Sequence, residues 1–171
     1  DLEGAELSNA NLAHATLISV SLSRTQIRRT NLQHIKAFGV DLSGKKLASN
    51  DFMGADIRNA DLSGSNLENI EFSEINSYNA DLSSTNLQGS EFKCATLIDS
   101  DFTQSDLRGT KFTAVDVRGI KFGDVKLSGA TEFRGFCSDP TGAREWNVLA
   151  EGYEVIRKEF REKALDDTHR E

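Results

Sequence analysis

At 171 residues, with 20 Lys+Arg against 27 Asp+Glu and a formal charge of −7, the chain suits one acidic domain. Two cysteines, Cys94 and Cys137, are too few for a disulfide framework, although one bond stays open. No apolar run approaches the ~20 residues of a membrane helix, and no signal peptide is visible. The sequence begins at Asp1, inside a repeat, as a processed protein or an excised domain would. The cytoplasm is the favoured compartment, with export or an organelle lumen as the alternative.

Every fifth residue from Leu2 is apolar almost without interruption, through Leu7, Leu12, Leu17 and Leu22 to Leu127, with Ser77 the sole polar member. A period of five fits neither a helix, which needs apolar residues three and four apart, nor a strand, which alternates. A second set two residues earlier is small: Ala5, Ala10, Ala15, later Ala55, Ala60 and Ala80. Small and large residues two apart share a face of one short extended segment. The residue between them points out and is mostly Asp, Asn, Glu, Thr or Lys. Each five is then one short side and a corner. Gly or Asn often takes the second corner place, where positive φ is tolerated. Phe52, Phe72, Phe92 and Phe112 recur every twenty residues, so four sides close one coil and equivalent sides stack. Strands stacked at about 4.8 Å make a rod of about 30 Å.

The motif Ala-(Asp/Asn)-Leu-X-X, as in Ala60-Asp61-Leu62-Ser63-Gly64 and Ala80-Asp81-Leu82-Ser83-Ser84, resembles that of pentapeptide repeat proteins over about residues 1–130. The resemblance implies a right-handed quadrilateral β-helix, an all-β solenoid. Lys45 and Asn50 depart from it by replacing the small residue, and Ile35, Ile70, Ile75 and Ile120 enlarge it. Ile75 is expected to fill space left by Ser77. After Ala130 the register is expected to break, because Phe133 arrives one residue late.

The predicted domains are a β-helix over 1–137 and a helical cap or tail over 138–171. Asp139-Pro140 reads as a helix start. Trp146, Leu149, Tyr153, Ile156 and Phe160 then form one apolar stripe, read as a cap on the last coil or a homodimer contact.

Two outward stacks bear on function. Asp41, Asp61, Asp81 and Asp101 line one side, bordered by Ser23, Ser43, Ser63, Ser83 and Thr103; Ile18, Phe38, Tyr78 and Ile98 line another. Both are candidate surfaces for a protein partner of unknown identity. His14 and His34, twenty apart, share a corner and read as solvated rather than as metal ligands. Cys94 reads as a corner residue with no histidine in its stack. No catalytic residue, metal site or cofactor is expected, because no nucleophile has a base beside it. The reading is therefore a non-catalytic scaffold or protein-binding module. The alternative, which some family members suggest, is a DNA mimic that inhibits or protects a type II topoisomerase such as DNA gyrase. Over 1–137 the chain carries 18 acids against 14 bases, a net of −4, where a duplex of that length carries about 18 negative charges. A basic band at Arg24, Arg28, Arg29, Lys36, Lys45 and Lys46 lacks stacking aromatics, and direct nucleic-acid binding is not favoured.

Overall fold

A computed structural model of the chain describes residues 2–22, 24–128 and 131–134. Its five-residue sides wind into a four-sided parallel coil. Residues twenty apart pair in parallel along most of each wall, for example Asn11 with Asn31, Lys36 with Asp56 and Asn86 with Asp106. On one wall the pairing lengthens into strands: β1 (Glu71–Ser73), β2 (Glu91–Lys93), β3 (Lys111–Thr113) and β4 (Glu132–Arg134), hydrogen-bonded in that order. Among the described residues there is no helix.

The corners hold the coil square. At most of them the residue after the corner donates its N–H back to the carbonyl of the central apolar residue, as Ala60 does to Ile57 and Ser65 to Leu62. The second corner place has positive φ at non-glycine residues too, including His34 (53°), Asn59 (55°), Cys94 (55°) and Ala114 (55°). Gly54 is a place where the lack of a side chain matters. A Cβ there would overlap the His34 imidazole of the preceding coil, which lies across its Cα.

From Leu22 to Phe122 the central residues are buried to the last few per cent, among them Leu47, Leu62, Leu67, Phe72, Leu87 and Phe112, each at 0% exposure, while Leu2 to Leu17 and Leu127 are partly buried. Phe72, Phe92 and Phe112 stack face to face at 4.7 and 5.2 Å, and Phe102 meets Phe92 edge-on at 5.9 Å. Two phenylalanine columns on facing walls therefore interlock, an arrangement the ring quadrupoles favour.

The small inward position does more than leave room. At several of the places where it is Ser or Thr, the buried hydroxyl donates to the central carbonyl of the coil before. Thr30 reaches Leu7 (2.9 Å), Ser90 reaches Leu67 (2.6 Å), Ser105 reaches Leu82 (2.6 Å) and Thr110 reaches Leu87 (2.8 Å). These bonds tie coil to coil from within and satisfy hydroxyls that burial would otherwise penalise.

After Ala130 the five-residue register breaks by one, as the late Phe133 signals, and the wall continues with the shifted pairing. One extra residue is absorbed between Ser128 and Thr131, so that Lys111 pairs with Glu132 and Phe112 with Phe133. The Phe133 ring stacks on Phe112 at 4.5 Å, and Thr131 donates to Leu107 O (2.7 Å) as Thr110 does to Leu87. Ser77, the polar member of the apolar series, is wholly buried and bonded: its Oγ lies 3.2 Å from both Thr96 O and Ser100 Oγ, and Ile75 is buried as well. The cap expected over 138–171, with Trp146, Leu149, Tyr153, Ile156 and Phe160, lies outside the described residues.

Candidate protein-binding walls

Asp41, Asp61, Asp81 and Asp101 pair in series on one wall, ending at Lys121. Like charges face to face in a sheet repel, and the reason they are tolerated is local. Each carboxylate turns onto its own corner and accepts the N–H two residues on: Ser43 (3.0 Å), Ser63 (2.9 Å), Ser83 (2.9 Å) and Thr103 (2.9 Å). The same bond forms at Asn11, Asn31, Asp51 and Asn76. The Asp/Asn of the repeat is thus a corner brace, a side-chain bond that fixes a turn, before it is a surface charge. The sequence showed the residue type and hid this role.

The brace predicts a response to acid. The Ser43 hydroxyl, and then its N–H, hold the Asp41 carboxyl below the usual carboxylate range. At Asp106 the Arg108 side chain does the same and outweighs burial. At Asp101 burial pulls upward, but Thr103 and Lys121 overcome it. A carboxyl depressed by folding contributes stability that is complete above its unfolded value, about 3.9, and is lost as pH falls through the folded value. The urea midpoint is expected to hold from pH 7 to about 5 and to drop below about 4. Asp41→Asn should be less stable than the parent at pH 7, and the gap should shrink on acidification.

The second wall carries the apolar stripe. Ile18 (58% exposed), Phe38 (39%) and Tyr78 (43%) stand in solvent, and Ile98 is half-buried. Sequence reading passed over Arg58, which occupies the same stack between Phe38 and Tyr78. Its guanidinium lies 5.7 Å from the centre of the Phe38 ring, within cation–π range. Asp56 fixes it with a double bond set, Nε to Oδ1 and Nη2 to Oδ2, both 2.7 Å. The signal was legible, since 58 lies twenty from both 38 and 78, but a search for apolar residues skipped a cation.

The histidine pair is resolved by geometry. The His14 and His34 rings are stacked 5.1 Å apart at 9°. Imidazole lone pairs lie in the ring plane, so near-parallel rings cannot converge on one ion at the ~2.0–2.1 Å that zinc needs. Cys94 shares their corner after all: a continuous run of bonds, His34 N to Met53 O, Gly54 N to Ser73 O, Glu74 N to Lys93 O, places it three coils beyond His34. Cys94 is disulfide-bonded; Cys137, the chain's other cysteine, lies outside the described residues.

A four-sided coil of five-residue sides, braced at its corners by Asp and Asn, defines a class, and sequence comparison agrees. The pentapeptide repeat profiles match residues 1–33 and 36–69, as pentapeptide repeats in 8 copies, and 64–131, as a pentapeptide repeat region. The chain belongs to the pentapeptide repeat family. Comparison with curated proteins gives no match. Among solved structures it is similar to HetL, a pentapeptide repeat protein involved in heterocyst differentiation regulation from the cyanobacterium Nostoc sp. strain PCC 7120. That likeness has 25% identity and a TM-score of 0.69, and covers 74% of this chain and 59% of HetL. The chain therefore spans less than two thirds of HetL. The HetL likeness supports the right-handed quadrilateral β-helix. QnrB1, a plasmid-mediated fluoroquinolone resistance protein, is 14% identical with a TM-score of 0.41, over 71% of this chain and 76% of that one. A pentapeptide repeat protein from the Arabidopsis thaliana thylakoid lumen is 29% identical with a TM-score of 0.24, over 68% and 70%.

Proposed function

We propose that the protein is a non-catalytic scaffold that binds a protein partner through the wall bearing Ile18, Phe38, Arg58, Tyr78 and Ile98. The observation that carries this reading is the exposure of three large apolar side chains, Ile18, Phe38 and Tyr78, on one wall of a rigid coil. Scattered exposed apolar residues are ordinary, but a file of them held at coil spacing is a patch. Its content, two aromatics with a fixed arginine between them, is that of interface hot spots. HetL is named for a role in regulation rather than catalysis, which is compatible with a binding role here.

The aspartate wall supports the reading less, because its carboxylates are engaged in their own corners. The same fact weakens the DNA-mimic alternative, to which the net charge of −4 over 1–137 already gives little. The disulfide at Cys94 moves the compartment away from the expected cytoplasm, since such bonds persist mainly in oxidising surroundings. No helix among the described residues is long and apolar enough to cross a membrane.

The test compares the protein with a Phe38→Ser/Tyr78→Ser variant as bait in an extract of its source. The partner's recovery should fall at least tenfold with the variant while the circular dichroism spectrum is unchanged. Equal recovery overturns the assignment to this wall. Inhibition of gyrase supercoiling at micromolar protein, insensitive to the two substitutions, would replace it with the mimic.

A further inference from the structure

The wall that starts with Glu6, Gln26, Lys46 and Asn66 is continuous except at one rung. Glu6 pairs with Gln26, and Lys46 with Asn66, Asn66 with Asn86 and Asn86 with Asp106, but Gln26 and Lys46 do not pair. The ladder bonds expected there, from Ile27 N–H to Lys46 O, Arg29 N–H to Ala48 O and Lys46 N–H to Thr25 O, do not form among the described residues. The two departures from the repeat motif explain why. Lys45 stands where the motif has a small inward residue, and its Nζ donates to Thr25 O (3.0 Å), the acceptor the Lys46 amide would have used. At the other end of the segment Asn50 receives the Thr30 N–H on its Oδ1 (2.8 Å) and donates to Leu47 O (2.7 Å). Both ends of the gap are thus braced by side chains while its middle stays open. One coil on from Lys45 in the same inward column, the Ser65 hydroxyl is buried without a partner.

The opening holds about 250 Å³ and is lined by Arg24, Arg28, Lys45 and Lys46, with Thr25, Ser43 and no acidic side chain. Glu3 pairs with Arg24 at 3.3 Å, burial disfavours the charged form of Lys45 while Asp41 favours it less strongly, and Glu6 pulls on Arg28. Four cations, together with the amides that the missing rung leaves outside the ladder, form a site for oxyanions, since charge-assisted bonds to phosphate are the strongest such groups make. At ~30 Å³ per water the gap holds about eight waters, room for more than one phosphate group. We infer that the break between Gln26 and Lys46 is a binding site for a phosphorylated small molecule carrying a diphosphate-sized anion. It lies in the basic band of Arg24, Arg28, Arg29, Lys36, Lys45 and Lys46. The absence of base-stacking aromatics from its lining favours a compact anion over a strand.

Inorganic pyrophosphate is the probe, titrated into the full chain and followed by amide chemical shifts. Saturable shifts confined to Ile27, Arg28, Lys45 and Lys46 are expected, with orthophosphate binding more weakly. Lys45→Ser restores the small inward residue, should let the rung close, and should weaken binding at least tenfold while raising the melting temperature. Arg28→Gln leaves the rung untouched and should weaken binding at least threefold. Non-saturating shifts spread over Lys36, Lys93 and Lys111, wild-type affinity in both variants, or binding of duplex DNA without binding of pyrophosphate would each overturn the site.

Discussion

Phe92→Ala is expected to lower the unfolding free energy by about 3–5 kcal/mol, the range for removing a buried phenyl. Phe92 makes three ring contacts: Phe72 at 4.7 Å, Phe112 at 5.2 Å and Phe102 edge-on at 5.9 Å. Pairs of this kind contribute about 0.5–1.5 kcal/mol each beyond burial. The void cannot collapse, because β1, β2 and β3 are held in register on either side of it. In a solenoid each coil rests on its neighbours alone, so the loss falls on two interfaces at once. Equilibrium denaturation of the variant against the parent measures it. A loss under about 2 kcal/mol would mean that the rings do not share one column. Leu127→Ala, at the partly buried far end of its wall, should cost less.

Ser77→Leu should destabilise by about 2 kcal/mol or more, combining overpacking with a lost buried bond. The sequence points the same way, since Ile75 is expected to fill the space beside Ser77 and leave a leucine no gap. In the folded chain Ser77 is at 0% exposure, between Ile57 and Leu97 in its column, both equally enclosed. Its hydroxyl meets Thr96 O and Ser100 Oγ, and Ser100 donates back to Ser77 O at 2.6 Å. The break in the apolar series is therefore a polar cross-link. Ser77→Ala, which removes the link without adding bulk, should cost about 1 kcal/mol, and the difference between the two variants isolates the steric part. A leucine variant more stable than the parent would show that the space was empty.

The coil was legible because one rule, large apolar at every fifth residue, carries the whole interior. The phenylalanines twenty apart fixed the number of sides, and the ring stacking follows. What stayed hidden depends on where a side chain turns. Asp61 and Asp81 look like surface charges in a string of letters, and only geometry shows them accepting the Ser63 and Ser83 amides. Lys45 was visible as an exception, but that its ammonium takes the place of a main-chain donor at Thr25 was not. The late arrival of Phe133 was legible as a shift of one residue, but its seat on the Phe112 ring was not. Cys94 was misplaced by simple oversight: it stands sixty residues, three full turns, from His34.

The single extra residue between Ser128 and Thr131 marks a seam. Anywhere along a wall, a shift of one would turn inward side chains out to water; at this edge the next wall still seats Phe133 squarely on Phe112. Length can change there without disturbing the interior. A foreign peptide spliced into that edge would be displayed from a stiff column, with Lys126 before it accepting the Leu107 N–H and Thr131 after it donating to Leu107 O.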